Sequence, residues 1–261
     1  MNRKLHFGLI IFAMILCFTS CSSSLSKKDY KYVTCQNIQG DEELSKIKNW
    51  SWFENLEDLW IFKTSIKDIT FLSDCDSINT LKLSQNDNLT DISSLADLDS
   101  LKVLELCDLP IDDFENIGSI DTLVELSLQN LNIKDISPIY SNNLQALCLS
   151  RLPIVSIDFI EESSKLENFA LLECNVSDVH SVGNLKEITS LTITNTPVKD
   201  ITPLSNLKTL EMLSLMNNNI SDISPLKSLI NLKRLYLQGN PLTEDQIDEL
   251  REALPNCDIY F

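Results

Sequence analysis

Apolar residues recur along this chain in a spacing that fits neither a single helix nor a single strand. From Leu56 onward the pattern Leu-x-x-Leu-x-Leu begins again at Ile78, Leu101, Leu123, Leu144, Leu166, Ile188, Leu210 and Leu232. Successive starts lie 21 to 23 residues apart, which makes nine units. In the unit that opens at Leu210 the apolar side chains are Leu210, Leu213, Leu215, Ile220, Ile223, Leu226 and Leu229. Counted from the first, they fall at offsets 0, 3, 5, 10, 13, 16 and 19. Offsets 3 and 5 show the two-residue alternation of a strand with one buried face. The later steps of three suit a tight, 3₁₀-like return. One coil therefore turns its apolar side chains toward a common axis, and only stacking on neighbouring coils buries that face.

A stack of this kind needs a lid at each end. At the front, Asp41 is placed to cap a short helix through Lys48 that brings Leu44 and Ile47 together, with Trp50, Trp52 and Phe53 as bulk. At the back, Thr243 and Gln246 have the spacing of a capping box. Ile247, Leu250 and Leu254 follow at helical spacing, Pro255 stops the helix, and the final residues Cys257 to Phe261 can add an edge strand.

The first twenty residues follow another rule. Arg3 and Lys4 lead into a short apolar run, Phe7 to Phe18, which is followed by Thr19, Ser20 and Cys21. A charged start, a short apolar stretch and small residues describe an export signal, and the run is short for a membrane span. The stretch Phe18-Thr-Ser-Cys21 resembles the lipobox of bacterial lipoproteins, which implies acylation of Cys21 and a lipid anchor. Phe18 stands where leucine is commonest; an ordinary signal peptide with a chance cysteine is the alternative. The expected organisation is a signal at 1–20, a polar tether at 21–30, an N-terminal cap at 31–55, repeats at 56–241 and a C-terminal cap at 242–261.

Beyond Leu56 the chain resembles the leucine-rich repeats of the internalins, with Leu213-Ser-Leu-Met-Asn-Asn-Asn-Ile-Ser-Asp-Ile-Ser-Pro-Leu226 close to that family's consensus. The resemblance implies an α/β leucine-rich repeat solenoid: a curved parallel sheet on the concave side, 3₁₀ or extended segments on the convex side, and helical caps. It implies binding rather than a particular partner, because fold does not fix function. At offset 8 the family carries an asparagine ladder that bonds turn backbone, and Asn218 and Asn240 occupy that place. Leu109, Leu131 and Leu152 break the pattern, as do Cys174 and Thr196. Thr196 can replace part of the bonding and Cys174 can do so weakly, whereas leucine cannot. The leucine-bearing turns are expected to use water or another loop geometry, aided by Pro110 and Pro153.

Other polar residues have local duties. Asp135, Asp178, Asp200 and Asp222 share offset 12, where a short carboxylate accepts backbone N–H bonds in an Asx-turn. A calcium ladder is the rival reading, but the glycine-rich spacing of calcium-binding repeats is missing. Thr202-Pro203 and Ser224-Pro225 set a capping hydroxyl before a proline at the start of a helical turn.

Composition narrows the function classes. The formal charge is −17, which repels phosphate backbones and argues against nucleic acid. Among the cysteines after Cys21, Cys75 and Cys174 are expected inside, Cys107 and Cys148 lie two coils apart, and Cys257 belongs to the far cap. Cys35–Cys75 is the one pairing that the sequence leaves open. None of these has metal-site spacing. His180, the sole histidine after the signal, lies on the convex side, and neither a Ser-His nor a Cys-His partnership falls in register. No cofactor, metal or catalytic residue is expected.

Binding chemistry is sought where the units differ. If offsets 3 and 5 point inward, offsets 2, 4 and 6 face the concave side. Only Asp58, Lys82, Glu105, Glu125 and Arg234 are charged among those positions. Trp60 with Phe62, and Tyr236 with Met212 and Met216, form clusters suited to anchoring a protein or an extended polymer. The bland alternative is that the N-terminal cap covers Trp60 and Phe62. The expected protein is a monomeric, non-catalytic protein-binding module, lipid-anchored to the bacterial envelope and facing outside the cytoplasm. An internalin-like adhesin for host cells and an envelope structural or assembly protein are the alternatives.

Overall fold

Residues 27–112, 114–139 and 143–261 are described by the computed structural model. The segment expected to be an export signal, and Cys21, lie outside them. Nine strands follow the repeat: β2 (Asp58–Phe62), β3 (Thr80–Ser84), β4 (Val103–Cys107), β5 (Glu125–Gln129), β6 (Ala146–Ser150), β7 (Asn168–Leu172), β8 (Ser190–Thr194), β9 (Met212–Ser214) and β10 (Arg234–Tyr236). A cap strand flanks them on each side, β1 (Cys35–Gln39) and β11 (Asp258–Tyr260), and all eleven form one parallel sheet in chain order. Every pairing is parallel and holds one register, so Trp60 lies beside Lys82 and Lys82 beside Glu105. The alternation expected of offsets 2 to 6 is met: Leu59 and Ile61 are buried, while Asp58, Trp60 and Phe62 are part-exposed. The returns between strands run through short 3₁₀ turns such as Thr70–Asp74, Ser93–Asp97, His180–Asn184, Thr202–Asn206 and Ser224–Ser228. Their apolar members, Leu72, Leu95, Val182, Leu204 and Leu226, are buried in the axis with the strand leucines. Each such side chain contributes about 1.5–3 kcal/mol relative to exposure.

How each strand ends explains why the coils are so alike. At offset 7 the backbone swings left-handed in eight successive coils, with φ between 51° and 56° at Lys63, Gln85, Asp108, Asn130, Arg151, Glu173, Asn195 and Asn217. Gly239 takes the same role in the ninth, at φ 76°. Most side chains resist this region, asparagine and aspartate least. What holds it is one bond repeated along the stack, from the N–H at offset 7 to the carbonyl at offset 6 of the next coil. Asp108 donates to Gln129 at 3.0 Å, Asn130 to Ser150 at 2.9 Å, and Asn217 to Gln238 at 2.8 Å. The leucine-bearing coils therefore keep the common turn geometry. No separate loop shape was needed, because the turn is fixed by this backbone bond rather than by the side chain at offset 8.

The ladder itself is present where an amide is available. Asn218 Oδ1 accepts from Thr196 N and Oγ1, and its Nδ2 donates to Ile193 O and Leu215 O. Asn240 Nδ2 donates to Leu215 O and Leu237 O, while its Oδ1 accepts from Ile220 N. A third rung was overlooked in the sequence: Asn86, wholly buried, accepts from Thr64 N and Oγ1 and donates to Ile61 O. Both residues sit at offset 8, so position alone would have found them. Cys174 donates through sulfur at 3.8 Å to Leu149 O and 3.4 Å to Leu172 O, and the backbone of Leu152 and Arg151 also bonds its sulfur. Leu109, Leu131 and Leu152 are buried in the rung positions, at 3–4% exposure.

The aspartates take up Asx-turns as expected: Asp135, Asp178, Asp200 and Asp222 accept from the N–H two residues on, at 2.8–2.9 Å. Asp68 and Asp91 do the same. The hydroxyls of Thr202 and Ser224 are not the caps. Ile201 and Ile223 hold the N-cap positions without side-chain bonds, and the preceding carboxylate captures the first free amide instead.

The front cap departs from expectation. Its helix α2 spans Gly40–Leu44, and Asp41 lies within the first turn. Asp41 Oδ1 instead accepts from Ser65 N at 2.7 Å, tying the cap to the first coil, and Gln39 N donates to Glu43. A short helix α1 (Lys27–Tyr30), assigned to the tether by its polar composition, seats Tyr30 in the cap. The Tyr30 ring meets Phe53 edge-on at 4.8 Å and Trp52 at 5.7 Å, so aromatic contact outweighs the polar neighbourhood. Trp50 completes the lid against Phe53 and Phe71. The rear cap is as read: α3 (Glu244–Ala253) starts on a complete Thr243–Gln246 capping box and buries Ile247 and Leu250. Gln246 Nε2 also donates to Ser221 O, and Lys227 pairs with Glu249, which clamps the lid to the eighth coil.

Cys35 and Cys75 are not bridged. Register sets Cys35 beside Asp58, in a column that faces the concave side, while Cys75 is buried in the core near Trp50 O. The sheet separates them.

Candidate functional site

The concave columns form a continuous surface of side chains standing on a rigid sheet. At the N-terminal side Trp60 is neighboured by Asn37 of β1 and Lys82 of β3. Lys82 Nζ lies 4.8 Å over the Trp60 ring and pairs with Glu105 at 2.9 Å. Trp60 and Phe62 are part-exposed beside the cap rather than sealed under it. At the C-terminal side Tyr236 stacks on Tyr260 of β11, centroids 4.9 Å apart and planes 9° from parallel. Tyr260 comes from the cap strand and was not singled out in the sequence; its register with Tyr236 is the signal that identifies it. Met212 stands on the neighbouring strand, in register with Arg234, and Met216 lies just beyond that strand's end. The two clusters occupy opposite ends of the sheet and do not touch.

Between them the floor is made of small side chains. Ser127, Cys148, Ala170, Thr192 and Ser214 line the middle column, and every residue of β6 is buried. Burial pushes the Cys148 thiol up to about 11 against a hydrogen bond with Ser127. Cys107 is pushed up to about 12, first by burial and then by its bond to the Asp108 carboxylate at 3.3 Å. Such thiols are poor nucleophiles. Burial pushes Cys75 and Cys257 up in the same way.

Four buried side-chain atoms lack a hydrogen-bond partner among the described residues: Asn37 Oδ1, Trp60 Nε1, Thr194 Oγ1 and Gln238 Oε1. All four belong to the concave columns, two near each aromatic cluster. His180, by contrast, lies exposed at the start of a convex 3₁₀ turn, its N–H held by Asp178. Among the described residues no group of three or more His, Cys, Asp or Glu is placed to hold a metal ion, and no helix is long and apolar enough to cross a membrane.

Comparison with known proteins agrees with this architecture. The family model "Leucine Rich repeats (2 copies)" matches residues 208–252. No curated protein matches the sequence. Among solved structures the chain is similar to an internalin (inlF) from Listeria monocytogenes str. 4b F2365, at TM-score 0.65 and 23% identity, over 91% of this chain and 82% of that one. It is also similar to internalin C2 (inlC2) from the same strain, at TM-score 0.51 and 24% identity, over 84% of each chain. A plant peptide hormone receptor, RGFR1, solved in complex with RGF2, matches at TM-score 0.59 and 17% identity. That match covers 81% of this chain and 44% of the receptor. The protein has a leucine-rich repeat solenoid fold shared with internalins.

Proposed function

We propose that this protein is a non-catalytic protein-binding module, displayed at the bacterial surface on a lipid attached to Cys21, which engages its partner with the concave face. Trp60 and Phe62 anchor one end of the contact; Met212, Met216 and Tyr236 anchor the other. One observation carries the reading. The four buried polar atoms without a hydrogen-bond partner among the described residues all lie on the concave columns. An unpaired buried polar group costs about 1–3 kcal/mol, a cost that a ligand removes by pairing with it. Rigid strands hold these groups within and beside the two amphipathic clusters, an arrangement suited to hot spots. The peptide hormone complex of the similar plant receptor supports protein or peptide as the ligand class.

A photo-cross-linking residue placed at Thr192 tests the surface, with Val155 on the outer side as reference. The expected result is a partner captured from Thr192 and lost in a folded Trp60→Ala/Tyr236→Ala variant. Capture from Val155 alone sinks the concave reading. Palmitate labelling of the full chain in its host, abolished by Cys21→Ala, tests the anchor; labelling that survives the substitution overturns it.

A further inference from the structure

We propose, resting on the concave reading above, that the front half of this face receives a lysine or arginine side chain from a basic partner segment. That side chain is held between the Trp60 ring and the Glu105 carboxylate, where Lys82 sits in the free protein. Register brings the three residues together: Trp60, Lys82 and Glu105 stand side by side on β2, β3 and β4. Lys82 Nζ lies 4.8 Å over the Trp60 ring and 2.9 Å from Glu105 Oε2. An aromatic face and a carboxylate converging on one ammonium are the groups that bind a cationic side chain. The protein's own lysine is thus a stand-in for the partner's. With Lys82 turned aside, the strands of Trp60 and Glu105 are two sheet spacings apart, about 9–10 Å, which leaves room for one extended side chain.

Charge decides the sign of the ligand. On β2 to β5 the concave columns carry Asp58, Glu105 and Glu125 against Lys82 alone, and the whole chain has a formal charge of −17. Pairing with Lys82 does not silence Glu105. Burial first, and then neighbouring charge, push up the thiols of Cys107 and Cys148, and Glu105 is among those charges for both. An anionic ligand would have to evict Glu105 from Lys82 and settle among the remaining carboxylates. A cationic one exchanges like for like. Lys82 gives way readily, because it and Glu105 are each more than a third exposed and solvent weakens their attraction. At the edge of the same ring, Trp60 Nε1 is buried and has no hydrogen-bond partner among the described residues. A backbone carbonyl of the incoming segment satisfies it and fixes the segment beside the cation.

The test titrates acetyl-hexalysine-amide into the full chain at near-physiological salt and reads the shift of the Trp60 indole N–H resonance. Lys82→Ala removes the competing cation and should tighten binding about fivefold, the effect of one unit charge about 4 Å away in water. Glu105→Gln added to Lys82→Ala should reverse that gain. Lys199→Met removes the same charge from an exposed position ahead of the 3₁₀ turn Thr202–Asn206, and should leave the titration unchanged. Binding that Lys82→Ala weakens, abolishes or leaves as it was overturns the proposal. So does acetyl-hexaglutamate-amide if it moves the same resonance only while Lys82 is present. A partner captured from Thr192 whose affinity ignores both substitutions sinks the cation site and keeps the concave reading. Exchange at Trp60 together with capture from Val155 alone does the reverse.

Discussion

Asn218 accepts two hydrogen bonds from Thr196 across one coil boundary, 3.0 Å from its N–H and 2.6 Å from its hydroxyl; Asn86 accepts the same pair from Thr64, at 2.9 and 2.7 Å. The two pairs are structural copies at opposite ends of the solenoid. Each satisfies a turn amide that the stacked coils hide from water. Asn218→Ala removes acceptor and donor together and leaves Thr196 N unpaired. The expected loss is about 3 kcal/mol in urea unfolding. A loss below about 1 kcal/mol would mean that water replaces the amide at little cost.

Acid should loosen the convex turns. Hydrogen bonds from Ser137, Thr202 and Ser224, hydroxyl first and then amide, hold Asp135, Asp200 and Asp222 below the usual carboxylate range. For Asp91 the Ser93 amide leads. Because the folded pKa lies below the unfolded one, this stabilisation is complete above the ordinary carboxylate range. It is lost as pH falls through the depressed folded values. Melting temperature should therefore drop on acidification, and Asp200→Asn/Asp222→Asn should drop less steeply. An identical slope in that variant would count against the Asx-turns as the source.

The front lid is expected to be cooperative with the stack. Phe53 is 1% exposed and touches the rings of Tyr30 and Trp50. Phe53→Ala should cost about 3–5 kcal/mol. Chemical denaturation followed by tryptophan fluorescence reports directly on this cluster. A stability equal to that of the unsubstituted protein would show that the lid can be shed without loss.

Cys107 should alkylate slowly at mild alkaline pH despite its partial exposure. Its thiol is pushed up to about 12, by burial first and then by Asp108. Asp108→Asn removes the carboxylate that opposes the thiolate, so iodoacetamide labelling followed by mass spectrometry should quicken. Unchanged labelling would assign the suppression to burial alone.

The concave ion pair should matter little to stability. Lys82 and Glu105 are each more than a third exposed, and solvent screens them. Lys82→Met should change unfolding free energy by less than about 1 kcal/mol. A larger loss would mean that the stack of Lys82 on Trp60 organises the sheet.

The repeat made nearly all of the solenoid legible from sequence, because one apolar spacing recurs and only one path of the chain buries it. The concave columns, the rear edge strand and the rear capping box were readable in the same way, from side-chain periodicity and cap chemistry. The front cap was harder. There the sheet gains β1, whose residues Cys35 to Gln39 show no repeat spacing, and Asp41 serves a neighbouring coil through space rather than its own helix. Trp60 and Tyr236 were found by column, but the unpaired atoms Asn37 Oδ1 and Gln238 Oε1 were not. Whether a polar atom finds a partner depends on three-dimensional neighbours that no spacing rule encodes.

The left-handed residue at offset 7 makes the coils interchangeable. Each of the first eight coils ends in the same backbone state and passes its amide to the same carbonyl of its successor. Length is thus a countable property of this protein, adjustable in whole steps. Excising residues 188–209 would deliver Glu173 N to Met216 O and Cys174 to Asn218 in equivalent positions. Removing half that number would misalign every column. A lineage of such chains can change its reach by one coil at a time while both lids still fit.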